Sequence, residues 1–130
     1  MDHANAALVH DFYEARASGD ADRIGACLTD DVVWRYPGRN PLAGEYRGRD
    51  QVTAFFARVR ELTGDDFSTE ARHVLTDDDV AMILELPRGK RGGRTLHWKT
   101  VLLARIRGGR IAEVTVFQHT QYELDEWWTG

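Results

Sequence analysis

Several features that would commit a chain to a particular chemistry are missing here. A single cysteine, Cys27, has no partner for an internal disulfide and no second thiolate for a structural metal. The five histidines are scattered, and none has another at i+4 beside an acid, as a zinc-binding helix requires. The apolar stretches are only a few residues long, too short to span a bilayer. An excess of basic charge is absent too: 17 Lys and Arg against 21 Asp and Glu give a net charge of −4. Sequence-independent nucleic-acid binding runs on phosphate neutralisation, so that balance argues against it. Asp2, His3 and Asp11 interrupt any apolar run at the start, which argues against a signal peptide. The expectation is a reduced, cytoplasmic protein that needs no metal or other cofactor and engages neither nucleic acid nor membrane.

What is there suffices for one core. The chain has 130 residues, 42% of them apolar and 29% charged, consistent with one domain spanning 1–130. Leu8, Phe12 and Ala15 recur at helical spacing, widened by Val9 and Tyr13. Gly19-Asp20 ends that helix, and Asp20 can cap a second one carrying Ile24, Ala26 and Leu28. A short strand, 32–36, runs into Pro37-Gly38, and 37–48 reads as a loop. Asp50 can cap a third helix bearing Val52, Phe55, Phe56, Val59 and Leu62, which Thr63-Gly64 ends. The period then changes to two. Strands are expected over Phe67–Thr76, Val80–Pro87, Thr95–Ile106 and Ile111–His119, the last pair joined by Arg107-Gly108-Gly109-Arg110. Thr120 to Glu123 has the form of a capping box for a helix with Leu124, Trp127 and Trp128. Helices followed by an antiparallel meander make an α+β fold, whose curled sheet leaves a hollow.

The order of these elements, with GDADRI at 19–24, DDVVWRYPG at 30–38, GEYRGRDQVTAFF at 44–56 and RGGRIAEVTVF at 107–117, resembles the nuclear transport factor 2-like superfamily. Within it the chain is similar to the SnoaL-like and ketosteroid isomerase-like branch, over nearly its whole length. The resemblance implies a cone-shaped, cystatin-like α+β barrel with a deep pocket, and a homodimer through the convex face of the sheet. It does not imply one activity, because this fold hosts isomerases, cyclases, hydrolases, dehydratases and binding modules. Carried over residue by residue, the isomerase base falls at Tyr36, its oxyanion-hole tyrosine at Phe12 and its protonated acid near Leu102. The epoxide-hydrolase set falls near Ala81, Asp79 and Val116. The acid of SnoaL-like cyclases falls about Gln118 and His119. None of these sets is intact.

Alternation sorts the side chains by face. Ala112, Val114, Val116 and Gln118 share one face of the last strand. Trp98, Thr100, Leu102 and Ala104 share one face of the strand before it. The family alignment puts Ala81, Ile83 and Glu85 inside, and Trp34 with Tyr36. The expected substrate-binding wall is therefore Trp34, Trp98, Thr100 and Gln118, with Tyr13, Phe55 and Phe56 from the helices. Large aromatics with few polar groups suit a flat, hydrophobic, partly oxygenated small molecule.

Glu85, Tyr36 and His119 are the catalytic candidates. A carboxylate desolvated among aromatics suits a general base beside a carbonyl, with Tyr36 donating to the developing enolate oxygen. The other reading sets Glu85 at the rim, solvated or paired with an arginine. His119 titrates near neutrality, yet alternation points it outward. His97, Lys99 and Arg105 share the outer face, and His3 and His10 are expected to be exposed. The run Arg88 to Arg94 reads as a solvated hairpin, and Trp127 with Trp128 as either a cap on the open end or a dimer patch. Three functions stay open: cofactor-independent acid-base catalysis (isomerisation, aldol cyclisation or dehydration) on a hydrophobic carbonyl or polyketide-like compound, non-catalytic ligand binding, or dimerisation alone.

Overall fold

The computed structural model describes residues 3–130, with side chains from Ala4 onward; Met1, Asp2 and the expected exposure of His3 lie outside the described residues. Helix α1 (His3–Ser18) buries Val9, Phe12 and Ala15. Asp20 then caps α2 (Ala21–Ala26), its carboxylate accepting from the backbone N–H groups of Asp22 and Arg23. Strand β1 (Leu28–Tyr36) leads through β2 (Gly44–Arg47) to α3 (Gly48–Thr63). The strands β3 (Phe67–Thr76), β4 (Val80–Arg91), β5 (Arg94–His97), β6 (Thr100–Arg107) and β7 (Arg110–Gln118) succeed it, and α4 (Gln121–Thr129) closes the chain.

These make a curved, open sheet of seven strands in the order β2-β1-β7-β6-β4-β3, with β5 paired to the far end of β4. Its concave face packs on α1 and α3 through Trp34, Val52, Phe55, Phe56, Ile83, Leu102 and Val116. One row across the sheet places polar groups side by side: Ala71 lies opposite Glu85, Glu85 opposite Thr100, and Thr100 opposite Gln118. The row lies on the inner face.

Several local expectations change. Leu28 begins β1 instead of ending α2, and β1 starts four residues earlier than its β-branched run. Part of the presumed loop, Gly44–Arg47, pairs with β1 as an edge strand. Helix α3 starts at Gly48, so Asp50 sits inside its first turn and Arg47 stands at the cap without a side-chain bond. At the other end Gly64 takes the left-handed cap as expected (φ 59°). Thr120 likewise makes no side-chain cap bond, and the capping box does not form. The segment 95–106 breaks at Trp98-Lys99 into β5 and β6. The β1–β7 pairing is parallel, whereas every other pairing is antiparallel. Ala112 is an extra residue in β7 relative to β6, and this bulge hands its inward place to the fully buried Ile111. Arg72 plays the same part in β3.

Helix α4 plugs the open end, so Trp127 and Trp128 form a cap and not a surface patch. The Trp127 ring sits 5.5 Å from Trp98, and its indole N–H donates to the Arg94 carbonyl. It lies so close to β4 that a Cβ on Gly89 would stand 2.9 Å from the ring, which glycine alone avoids. The Arg88–Arg94 hairpin is tied down by the same helix, since Arg91 Nη1 donates to the Trp127 carbonyl at 2.5 Å.

Candidate functional site

Between the concave sheet, α1, α3 and α4 lies a cavity of about 220 Å³. Apolar rings form most of its wall. Trp34, Phe55 and Phe56 interlock at centroid separations of 4.9–6.0 Å, and Trp98 meets Trp128 at the α4 end. Tyr13, Tyr36, Glu85, Thr100 and Gln118 also line it, so the residues picked from the sequence share one chamber, with one exception. His119 is exposed and outside the lining. Its backbone N–H bonds to the Lys99 carbonyl, which continues the β6–β7 ladder and keeps strict alternation, turning its ring away from Gln118.

Glu85 is buried, and it is not alone. Its Oε1 accepts from Tyr13 Oη at 2.7 Å and from Arg16 Nη1 at 2.8 Å. The Arg16 and Glu85 side chains are only 9% and 6% exposed. Four rings enclose the guanidinium: Phe56 at 4.7 Å, Tyr13 at 5.0 Å, Phe12 at 5.5 Å and Trp34 at 5.9 Å. Burial pulls the Arg16 pKa down, but Glu85 and Tyr13 together more than offset this and hold it above its ordinary value. Burial first, and the neighbouring carboxylate second, push the Tyr13 phenol up, so its proton stays on at neutral pH. The Arg16 and Glu85 charges nearly cancel, and Arg60, a further charged residue of the lining, donates to the Arg16 and Ala17 carbonyls at 3.3 and 2.9 Å and stands 3.6 Å from Asp65.

Arg16 did not emerge from the sequence pattern. Its signal was present: it lies four residues after Phe12 on the buried stripe of α1, the one charge on that face, and a buried carboxylate requires a countercharge. The acid facing a phenol was anticipated, but with Tyr36 as that phenol, and the partner is Tyr13. Tyr36 Oη instead accepts from Trp128 Nε1 at 3.0 Å. That leaves its own proton free to donate, and burial raises its pKa above the ordinary phenol value.

Beside Glu85, in the same row of the sheet, the polar groups are in another state. Thr100 Oγ1 donates to Gln118 Oε1 at 2.6 Å, which points the Gln118 amide nitrogen away from that bond. Among the described residues, three buried side-chain polar atoms find no hydrogen-bond partner: Trp34 Nε1, Thr69 Oγ1 and Gln118 Nε2. All three residues line this chamber. Thr69, on β3, was also missed, because an edge-strand threonine carries no sequence signal of its own. Among the described residues, no group of three or more His, Cys, Asp or Glu side chains is placed to hold a metal ion.

Comparison with known proteins agrees with this architecture. Residues 9–114 match the family model of the SnoaL-like domain. An uncharacterized protein of Mycobacterium tuberculosis is 30% identical over 129 residues, 98% of each chain. Among solved structures, Bal32a from a soil-derived mobile gene cassette superposes with a TM-score of 0.92 at 29% identity, over 96% of both chains. TerC, co-crystallized with polyporic acid, superposes with a TM-score of 0.84 at 19% identity, over 95% of this chain and 97% of its own.

Proposed function

This chain belongs to the SnoaL-like domain family, of nuclear transport factor 2-like fold, and from that membership we propose that it binds a small, apolar carbonyl compound in its aromatic chamber and catalyses proton transfer on it. Residues 1–130 then make one SnoaL-like domain working in the cytoplasm. The observation that carries this function is Glu85: a carboxylate in the wall of an apolar cavity, with both of its protein hydrogen bonds on Oε1.

Oε2 is then the oxygen available to a substrate. In the proposed step it takes a proton from carbon next to a carbonyl, and the electron pair moves onto the carbonyl oxygen. Tyr36, its own acceptor role taken by Trp128, donates to that enolate oxygen. Returning the proton to another carbon completes an isomerisation. Attack of the enolate carbon on a second carbonyl closes a ring by aldol addition, the new alkoxide taking the proton back from Glu85, and a β-hydroxyl that takes that proton leaves as water in a dehydration. None of these changes the substrate's oxidation level. Tyr13 and Arg16 hold the carboxylate in place and supply its countercharge. The co-crystallization of TerC with polyporic acid is in keeping with a small organic occupant. An ammonium ligand, by contrast, would compete with Arg16 for the aromatic cage that it already fills.

A second reading, a binding protein without turnover, is favoured by the same pairing, since a carboxylate already engaged with a guanidinium is a weaker base. Native mass spectrometry of the purified protein identifies the compound it retains, and turnover of that compound is then measured for Glu85→Gln and Tyr36→Phe. The catalytic reading expects each to lose ~10²-fold or more in turnover with affinity kept. Unchanged turnover removes both residues from the chemistry, and a wild type that binds without converting leaves the binding protein.

The convex face supports a further element of the proposal, a homodimer. Met82 and Phe117, 48% and 53% exposed, flank Leu84, Val101 and Leu103 on adjacent strands, an apolar row with the character of an interface. Sedimentation velocity decides it: a stable dimer persists at roughly tens of micromolar protein, and a monomer there would sink that element.

A further inference from the structure

Of the described residues that line the chamber, only Ala17 and Ser68 are exposed, so its opening lies between the end of α1 and the start of β3. Arg60, in the last turn of α3, lines the chamber beside that opening. Its Nη2 donates to the carbonyls of Arg16 and Ala17, in the last turn of α1, where a cation is a favourable cap. These bonds fix the guanidinium but occupy Nη2 alone. Nη1 stands 3.6 Å from Asp65 Oδ1, beyond hydrogen-bond range, and the Asp65 side chain is 78% exposed. A pair of that kind is weak, and its carboxylate returns to water at little cost. Nη1 is not among the buried unpartnered atoms, so it keeps surface that a ligand can touch. The other acid at this rim, Asp66, is turned to Arg88 at 3.8 Å.

We propose that Arg60 is a specificity-determining residue that takes an acidic group at the opening, so that the favoured ligand is an apolar carbonyl compound bearing one carboxylate. This rests on the chamber being a ligand site and extends it to which ligand and which way round. The rings enter first and the carboxylate stays outside, because further in it would lose its water and meet the buried Glu85. In the opening it exchanges with Asp65 and gains a charge-assisted hydrogen bond from a guanidinium that is already held in place. The volume of about 220 Å³ limits the enclosed part to about two fused rings, because drug-sized ligands take pockets of ~300 Å³ and more.

The test uses the full chain and a matched pair of ligands, 2-naphthylacetate and 2-naphthylacetamide, each titrated by calorimetry. The two share rings, carbonyl and shape, and differ in charge. Wild type should bind the acid roughly tenfold more tightly than the amide, the size of one hydrogen bond between charged groups. Arg60→Gln should abolish that preference by weakening the acid alone. Asp65→Asn removes the competing carboxylate and keeps a residue that tolerates the left-handed backbone there (φ 66°). It should tighten the acid about twofold and leave the amide level, and it carries the comparison should Arg60→Gln fail to fold. Equal binding of the two ligands by wild type, or an Arg60→Gln variant that shifts both alike or neither, overturns the proposal and leaves the chamber reading standing. Where wild type binds neither ligand, the compound it retains on purification decides. An acid upholds the proposal, a neutral compound overturns it, and nothing retained takes down the ligand-chamber reading as well.

Discussion

At the α1 side of the chamber, Glu85 Oε1 takes two hydrogen bonds, and Arg16 is wrapped by four rings. Next to it, Trp34, Gln118 and Thr69 each keep a buried polar atom with no partner in the protein. Residues of both clusters line the same cavity. The charged cluster is closed on itself, as it must be, because an unpaired buried charge is among the most destabilising things a fold can contain. The neutral cluster tolerates being open, since an unmet amide, indole or hydroxyl group costs only about 1–3 kcal/mol. The charged groups are satisfied within the protein, and the neutral groups next to them carry the unmet hydrogen bonds.

Arg16→Met attacks the satisfied side most directly. It strands Glu85 and should destabilise the fold by about 3–5 kcal/mol in urea denaturation, while Arg16→Met with Glu85→Met should recover most of that loss. A single variant within about 1 kcal/mol of wild type would mean that the pair is solvated and that the contrast between the two sides is false. Tyr13→Phe comes next, at about 1.5–3 kcal/mol for a lost hydrogen bond to a charged acceptor. It also carries a pH signature. The Tyr13 pKa is raised in the folded state, so the stability it confers is full below the unfolded phenol value of ~10 and declines above it, where the unfolded chain releases the proton and the native one retains it. The alkaline arm of a melting-temperature profile should therefore be shallower in Tyr13→Phe than in wild type. An identical slope would show that the phenol ionises freely in the native state. The smallest effect falls on the open side and has the opposite sign. Thr69→Val, which removes an unmet hydroxyl at constant shape, should leave stability level or raise it by up to about 1 kcal/mol. A clear loss would show that this hydroxyl is satisfied after all.

Part of the chamber could be read from period-two alternation, which turned Thr100 and Gln118 inward. The inward places of Glu85, Trp34 and Tyr36 came from the family resemblance, and register sets Glu85, Thr100 and Gln118 side by side. What alternation does not carry is any relation between a helix and a strand far away in sequence. Arg16 and Glu85 lie 69 residues apart, and only the docking of α1 over β4 joins them. Bulges are equally silent, since the sequence around Ala112 continues its alternation while the backbone slips by one residue and Ile111 turns inward. The cap bond expected of Asp50 failed because α3 starts two residues before it; Thr120 does stand at the N-cap of α4, but its backbone (φ −116°, ψ 59°) is not the extended one that caps use, and its side chain makes no cap bond.

The parallel pairing of β1 with β7 bears on how the chain reaches this state. Trp34 lies beside Val114, so the middle of the sheet joins the first strand to the last. No early fragment holds both halves of that seam, and closing it requires most of the polypeptide to have been laid down and drawn into a loop. High contact order of this kind places folding in the millisecond-to-second regime, not the microseconds of a helical bundle. It also means that a cut between α3 and β3 should yield two pieces of which neither matures alone.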